Sequence, residues 1–423
     1  MKKELTATTA LQRHSACGEI LVALAALFLS VMVFTACTAS DDEQQSQRPE
    51  QDQPIVFSVT TGSDTRATGE IDDEELKTLK DGEDKPYGFG VFASYTGQWR
   101  YTTTTVKPDF FCNQQVVCGE TTDHTTIWTY SPLKYWPNGE GDATGEGMGE
   151  IAHQVSFFAY APWSDLTSTT GPAVCITDCS RSYEPGDPWV LYRLAPSSAQ
   201  QVDLLYAACD FDHYGLGDGL CNIDLTKPEV SQRVNFHFRH ALGIVGDKVT
   251  VSTMSELQSA LHAEVTGGIT AISLVLTSIK IEYTLTSKAR LMLFARDGEP
   301  NWQTVTSENV KATRTVSLDG IGHTLYAYNG TAPETIATYD DTAANPWTEK
   351  GLFYIPIEGD DYVQRARITI GYQVLRTGGT PYPSTGSATI TKNVVLHEQE
   401  AYGPGKRMDF NITLGSTLPL TAE

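Results

Sequence analysis

From Val234 to Phe238 the chain reads Val-Asn-Phe-His-Phe, with Arg239 next. Successive side chains of a strand point to opposite faces, so Val234, Phe236 and Phe238 share one side while Asn235, His237 and Arg239 share the other. A helix would scatter those apolar residues around its circumference, so a period of two selects a sheet with one buried face. The habit recurs in Ile55-Val-Phe-Ser-Val59, Gly88-Phe-Gly-Val-Phe-Ala-Ser-Tyr95, Val155-Ser-Phe-Phe-Ala-Tyr160 and Leu204-Leu-Tyr-Ala207. It continues in Ile272-Ser-Leu-Val-Leu276, Ile279-Lys-Ile-Glu-Tyr283, Arg290-Leu-Met-Leu-Phe294 and Leu352-Phe-Tyr-Ile355. Ala366 to Val374, Ala388-Thr-Ile-Thr391 and Met408-Asp-Phe-Asn-Ile-Thr-Leu414 complete the series. Gly, Pro, Asn and Asp bound these runs and punctuate them as turns.

Helical signals are confined to Asp72 to Lys80, which is polar, and Met254 to Val265, where Leu257, Leu261 and Val265 follow four-residue spacing. There is no repeat with a period of about 20 to 50 residues, which argues against a solenoid or propeller. The expected class is therefore all-β. A length of 423 residues exceeds one ordinary domain, and two tandem sandwiches are expected, over 54–243 and 244–423, joined near 243–250.

The chain opens on Lys2 and Lys3, and an apolar run from Ile20 to Phe34 ends at Thr35-Ala36-Cys37. That run is shorter than the roughly 20 residues needed to span a bilayer, and small residues before a cysteine suit a lipoprotein peptidase. Residues 1–36 are thus expected to be a lipoprotein signal peptide, with Cys37 the lipidated first mature residue. The alternative is a plain secretory signal in which the cysteine is incidental. Acyl chains on Cys37 would bury methylenes at about 0.8 kcal/mol each and replace a membrane helix as the anchor to the outer membrane. The following tract to residue 53 is polar and lacks apolar periodicity, as a flexible tether requires. Its Asp41-Asp42-Glu43 resembles the surface-export signal of Bacteroidota lipoproteins, and equally reads as a solvated linker.

The net charge of −22 leaves the phosphate-neutralising term of nucleic-acid binding without a source, so nucleic acid is excluded as a partner. Of eight cysteines, Cys17 would leave with the signal and Cys37 would carry lipid. Cys112, Cys118, Cys175, Cys179, Cys209 and Cys221 remain, an even set that points to disulfides in an exported chain. Fifteen connectivities are open; the simplest expectation is local pairing, Cys112 with Cys118, Cys175 with Cys179 and Cys209 with Cys221. Their spacings lack the paired short motifs of a zinc site, so no metal is expected.

Signatures of chemistry are missing from the sequence: no nucleophile elbow, P-loop, dinucleotide fingerprint, zinc-protease helix or calcium loop. The Asp- and Gly-rich segment from Asp210 to Gly219 lacks the bidentate acid that a calcium loop requires at its twelfth position. His237 and His240 flank Arg239 at a strand end and read as surface or interface residues, while Asp340-Asp341 and Asp360-Asp361 read as solvated loop charges. No catalytic residue and no cofactor are expected. Seven tryptophans, Trp99, Trp128, Trp136, Trp163, Trp189, Trp302 and Trp347, stand mostly between strands. They fit either a glycan-binding surface or lids over the sandwich ends.

In order and spacing, Ile55-Val-Phe-Ser-Val59 with Thr65-Arg-Ala-Thr68, Gly88-Phe-Gly-Val-Phe-Ala93, Tyr135-Trp-Pro-Asn138, Val155 to Pro162, Asp203 to Ala207, Val234 to Leu242 and Gly405 to Leu414 resemble the fimbrillin-like family of Bacteroidota pilus proteins. The cysteine-bearing stretches at 112–118 and 175–221 lie outside that pattern. The resemblance implies two transthyretin-like β-sandwich domains, a lipoprotein precursor, and polymerisation with other pilus subunits by donor-strand exchange. An Arg-specific protease would cut between Arg66 and Ala67, removing the strand that carries Ile55, Phe57 and Val59. Met408, Phe410, Ile412 and Leu414 alternate well enough to serve as a donor, and equally as a native strand of the second domain. The functional expectation is a structural or adhesive pilus component: shaft subunit, tip or anchor. Its alternative is a stand-alone surface lipoprotein that binds a host protein or glycan.

Overall fold

A computed structural model describes residues 53–61, 70–80, 87–97, 101–102, 104–120, 126–137, 153–207, 222–228, 233–294, 299–305, 311–331, 333–340, 351–357 and 362–421. In chain order the first half forms β1 (Val56–Thr61), α1 (Asp73–Thr78), β2 (Phe89–Gly97), β3 (Phe111–Glu120), β4 (Thr126–Thr129), β5 (Gln154–Ala161), β6 (Ile176–Cys179), β7 (Trp189–Arg193), β8 (Leu205–Ala207) and β9 (Arg233–His240). The second half forms β10 (Gly243–Thr253), α2 (Ser255–Ala263), β11 (Ala271–Thr286), β12 (Lys288–Met292), β13 (Asn301–Gln303), β14 (Lys311–Tyr328), β15 (Thr335–Ile336), β16 (Tyr339–Asp340), β17 (Leu352–Tyr354), β18 (Arg365–Thr377), β19 (Ala388–Val395) and β20 (Arg407–Leu414). The fold is all-β, as the period-two runs require.

Strands β1, β4, β3, β2, β5, β8 and β9 close in that order into a barrel. Its interior is aromatic, with Phe57, Phe89, Phe111, Trp128, Phe157, Phe236 and Phe238 all buried. β2 and β5 are buried on both faces: Val91 and Ala93 face the barrel core, while Phe92 and its neighbours Phe158 and Tyr160 enter a second core outside it. A strand covered on both sides loses strict alternation, which explains the near-continuous apolar run at Gly88 to Ala93.

The second core runs from Phe92 to Leu418 and draws on both halves of the chain. It is walled by a sheet ordered β13-β12-β7-β6, in which β12 of the second half pairs antiparallel with β7 of the first. Two further sheets complete it, β16-β10-β17 with β20 alongside β10, and β15-β14-β11-β18-β19. The stretch 243–250, expected to join two halves, instead lies within β10, where Ile244, Val245 and Val249 are buried. Gly246, Asp247 and Lys248 read as a turn because they fall at an irregularity between Val245 and Val249, a bulge that breaks the alternation.

Each half opens and closes on the same construction. β1 pairs parallel with β9, the last barrel strand, and β10 pairs parallel with β20. On the outward face of the first ladder Ser58 Oγ donates to Asn235 Oδ1 at 2.9 Å, and Thr60 Oγ1 lies 2.8 Å from His237 Nδ1. On the second, Thr250 Oγ1 donates to Asn411 Oδ1 at 2.7 Å and Ser252 Oγ lies 3.3 Å from Thr413 Oγ1. Polar pairs directly opposite one another on the solvent face help fix register, because a slip by one residue would bury them.

Candidate functional site

β1 lies between two partners, antiparallel to β4 through Phe57 opposite Trp128 and parallel to β9 over its whole length. Ile55 and Phe57 are buried, at 1% and 0% exposure. Phe57 is ringed by Phe89, Phe111, Tyr130, Phe157 and Phe236, with centroids 5.4 to 6.2 Å away. Edge and offset contacts at such distances add about 0.5–1.5 kcal/mol each beyond area burial. Val59 packs at the margin of the same core. The backbone of Ile55 is held at both ends: its N–H donates to Lys134 O at 3.0 Å, and its carbonyl accepts from the Tyr130 hydroxyl at 2.9 Å. Just upstream, Trp136 N–H donates to Gln53 O at 2.9 Å, so the segment from 53 is zipped onto the 130–136 loop. The far end is tied by Thr61 N–H to the Asp73 carboxylate of α1 at 2.8 Å. α1 forms there because Asp72 caps it, accepting from the N–H groups of Glu74 and Glu75, while the Glu75 side chain returns to Asp72 N–H.

One strand thus closes the barrel wall, pairs on both edges and sends Ile55 and Phe57 into the core. Taking it away would leave two unpaired strand edges, on β4 and β9, and an apolar trough, the geometry that strand addition requires. Cys37, Arg66 and Ala67 lie outside the described residues, as do Cys209, Cys221, Trp99, Trp347, Asp360, Asp361, Asp341 and the Asp210 to Gly219 segment. The segment of Met408, Phe410, Ile412 and Leu414 is β20, paired with β10 in this chain and burying Met408, Phe410 and Leu414.

The described tryptophans form no exposed platform. Trp128 and Trp136 are buried at 7% and 4% exposure. Trp163 Nε1 donates to Asn113 O at 3.1 Å and Trp302 Nε1 to Ala241 O at 3.0 Å, while Arg290 stacks over Trp189. Of the readings open for them, these five take the packing role.

His237 faces outward, as alternation requires, with Nε2 2.8 Å from Asn235 Nδ2. His240 behaves otherwise: its Nδ1 lies 2.7 Å from Oδ2 of Asp203, a carboxylate with 1% exposure. Asp203 also accepts from Ile71 N–H at 3.1 Å and Leu204 N–H at 2.8 Å. This joint pins the entry to α1 against β8 and β9, and sequence spacing carried no signal for it because the partners stand 37 and 132 positions apart.

The local cysteine pairing does not agree with the strands. No bridge joins Cys112 to Cys118 or Cys175 to Cys179. Cys112 and Cys118 both lie within β3, and at about 3.3 Å per residue their Cα atoms stand about 20 Å apart, far beyond the roughly 7 Å limit for a bridge. Cys175 and Cys179 are likewise separated by the length of β6. The rise of an extended chain, invisible in a cysteine count, sets them apart.

No protein-family model and no curated protein matches the sequence. Among solved structures, a fimbrial protein from Bacteroides vulgatus superposes with a TM-score of 0.51 at 17% identity, over 88% of this chain and 98% of that one. A candidate cell-adhesion protein from Bacteroides uniformis aligns with a TM-score of 0.37 at 11% identity, over 86% and 93%. At the level of the fold, the fimbrillin-like resemblance read from the strands holds: the chain is built like the Bacteroides vulgatus fimbrial protein along nearly its whole length.

Proposed function

We propose that the chain is a structural or adhesive component of a cell-surface pilus, exported as a lipoprotein through Cys37 and assembled by strand addition after cleavage between Arg66 and Ala67. The observation that supports it above all is the position of β1: fully inserted, paired on both edges, and followed by a segment containing an Arg-Ala bond. Loss of β1 removes Ile55 and Phe57 from the barrel and opens a groove whose ideal occupant is an extended segment with apolar residues at every second position. A strand from a neighbouring subunit has that form. The energy is favourable because the trough otherwise exposes a row of aromatic rings, each worth about 1.5–3 kcal/mol on burial. The likeness in fold to a fimbrial protein points the same way.

Intact mass and N-terminal sequencing of the protein from the cell envelope test the reading. A start at Ala67 in high-molecular-weight assemblies is expected, with an acylated Cys37 terminus on the uncut precursor. A chain that retains residues 1–36, or that remains monomeric after cleavage at Arg66, overturns it.

A further inference from the structure

Cys112 opens β3 with its side chain outside the barrel, because its neighbour Phe111 points in and is buried at 2% exposure. Outside the barrel at that point lies the end of β6 and the turn that follows. Cys112 Sγ lies 3.5 Å from the carbonyl oxygen of Ser180, and Cys179 Sγ lies 3.4 Å from that same oxygen. Two sulfurs that share one acceptor are neighbours, although 67 positions separate them in sequence.

The surrounding bonds hold β3 against β6. Asn113 accepts from the Tyr160 hydroxyl at 2.6 Å and donates through Nδ2 to Ser164 O at 3.3 Å, while Ser164 Oγ donates to Ile176 O at 2.8 Å. On the other side, Gly186 N–H donates to Val106 O at 2.8 Å and the Tyr101 hydroxyl to Asp187 at 2.9 Å. These tie the loop before β3 to the turn after β6.

We propose that Cys112 and Cys179 form a disulfide in the exported protein, cross-linking the barrel to the β6-β7-β12-β13 sheet. The inference rests on the export reading above, since an oxidising compartment is needed. The oxidant is a thiol oxidoreductase carrying a reactive disulfide. The thiolate of Cys112, the more exposed of the two, attacks that disulfide, and one oxidoreductase sulfur leaves and takes up a proton. Cys179, losing its proton, then attacks Cys112 Sγ in the mixed disulfide and releases the second oxidoreductase sulfur. Two thiols are oxidised, and the oxidoreductase disulfide is reduced to a dithiol that carries off two electrons and two protons. Bond formation requires rotation about the two Cα–Cβ bonds to carry the sulfurs from their shared acceptor to the roughly 2.05 Å of a disulfide. The link braces β3, next to β4, the antiparallel neighbour of β1, so it would hold the barrel wall when β1 departs.

The test is peptide mapping of full-length protein from the cell envelope, blocked with N-ethylmaleimide in denaturant without reductant. A peptide pair containing Cys112 and Cys179, separated by dithiothreitol, is expected. Cys112→Ser, at the more exposed position, should lower the thermal midpoint by roughly 5–10 °C, and dithiothreitol should lower that of the parent protein equally while leaving the variant unchanged. Maleimide on both cysteines, or either one bridged to a different cysteine, overturns the proposal. If the same sample starts at Cys37 or Ala67, export stands and only the disulfide fails; if it keeps residues 1–36, the export reading itself has failed.

Discussion

Phe57 of β1 stacks on Phe236 of β9, ring centroids 5.7 Å apart and planes 24° from parallel, across the register that closes the barrel. Phe57→Ala leaves a cavity bounded by five aromatic rings that cannot all collapse into it. A loss of about 3–5 kcal/mol is expected, read as a lower denaturant midpoint at unchanged slope. Ser58→Ala, one residue on and facing outward, removes one half-buried bond to Asn235 and should cost about 1 kcal/mol or less. Equal midpoints for the two variants would mean that the barrel closes without β1.

Asp203 supports a second prediction. Its carboxylate serves two main-chain N–H groups and His240 from a site with 1% exposure. Asp203→Ala strands three partners where water has little access, and a loss of about 3 kcal/mol is expected. Circular dichroism melting checks it, and a midpoint within a degree of the parent would show that solvent reaches the joint.

The strands were legible where one face is wet and one dry. Val234 to Phe238, Ala366 to Val374 and Met408 to Leu414 appear in the structure as strands whose ends fall within three residues of the alternating runs. Both short helices were legible too, α1 within the polar stretch Asp72 to Lys80 and α2 through Leu257 and Leu261. β3 and β10 were not. Phe111 to Glu120 has adjacent polar residues, Asn113 at φ 50°, and cysteines at 112 and 118, so its pattern looks like a loop. β10 carries glycines at a bulge, and local reading takes glycine for a turn. The joints between distant segments, Asp203 with His240 and Cys112 beside Cys179, depend on the barrel closing, and no pairwise spacing encodes that closure. What sequence did hold of the candidate site was β1 itself, because Ile55 and Phe57 are its inward residues.

Asp409 provides a pH test. It sits on β20 where burial pushes its carboxyl up, with Asp247 adding to the rise, while the Lys248 N–H and the Arg407 and Lys248 charges oppose it. A carboxyl raised in the fold holds its proton more tightly in the native state than in the unfolded chain. Stability is therefore greatest at low pH with respect to this group and falls as pH rises through its folded value, the penalty being complete above it. Asp409→Asn removes that penalty and keeps an oxygen to accept from Lys248 N–H, now at 3.1 Å. Because the carboxyl is only partly covered and solvent still screens it, the effect is small: the variant should melt about 1–2 °C higher than the parent at pH 7. The difference should shrink as pH approaches about 4, where the unfolded aspartate also takes up its proton. Melting curves of the two proteins between pH 4 and 8 read this directly. A gain that stays constant across the range would place its origin in packing rather than in the charge.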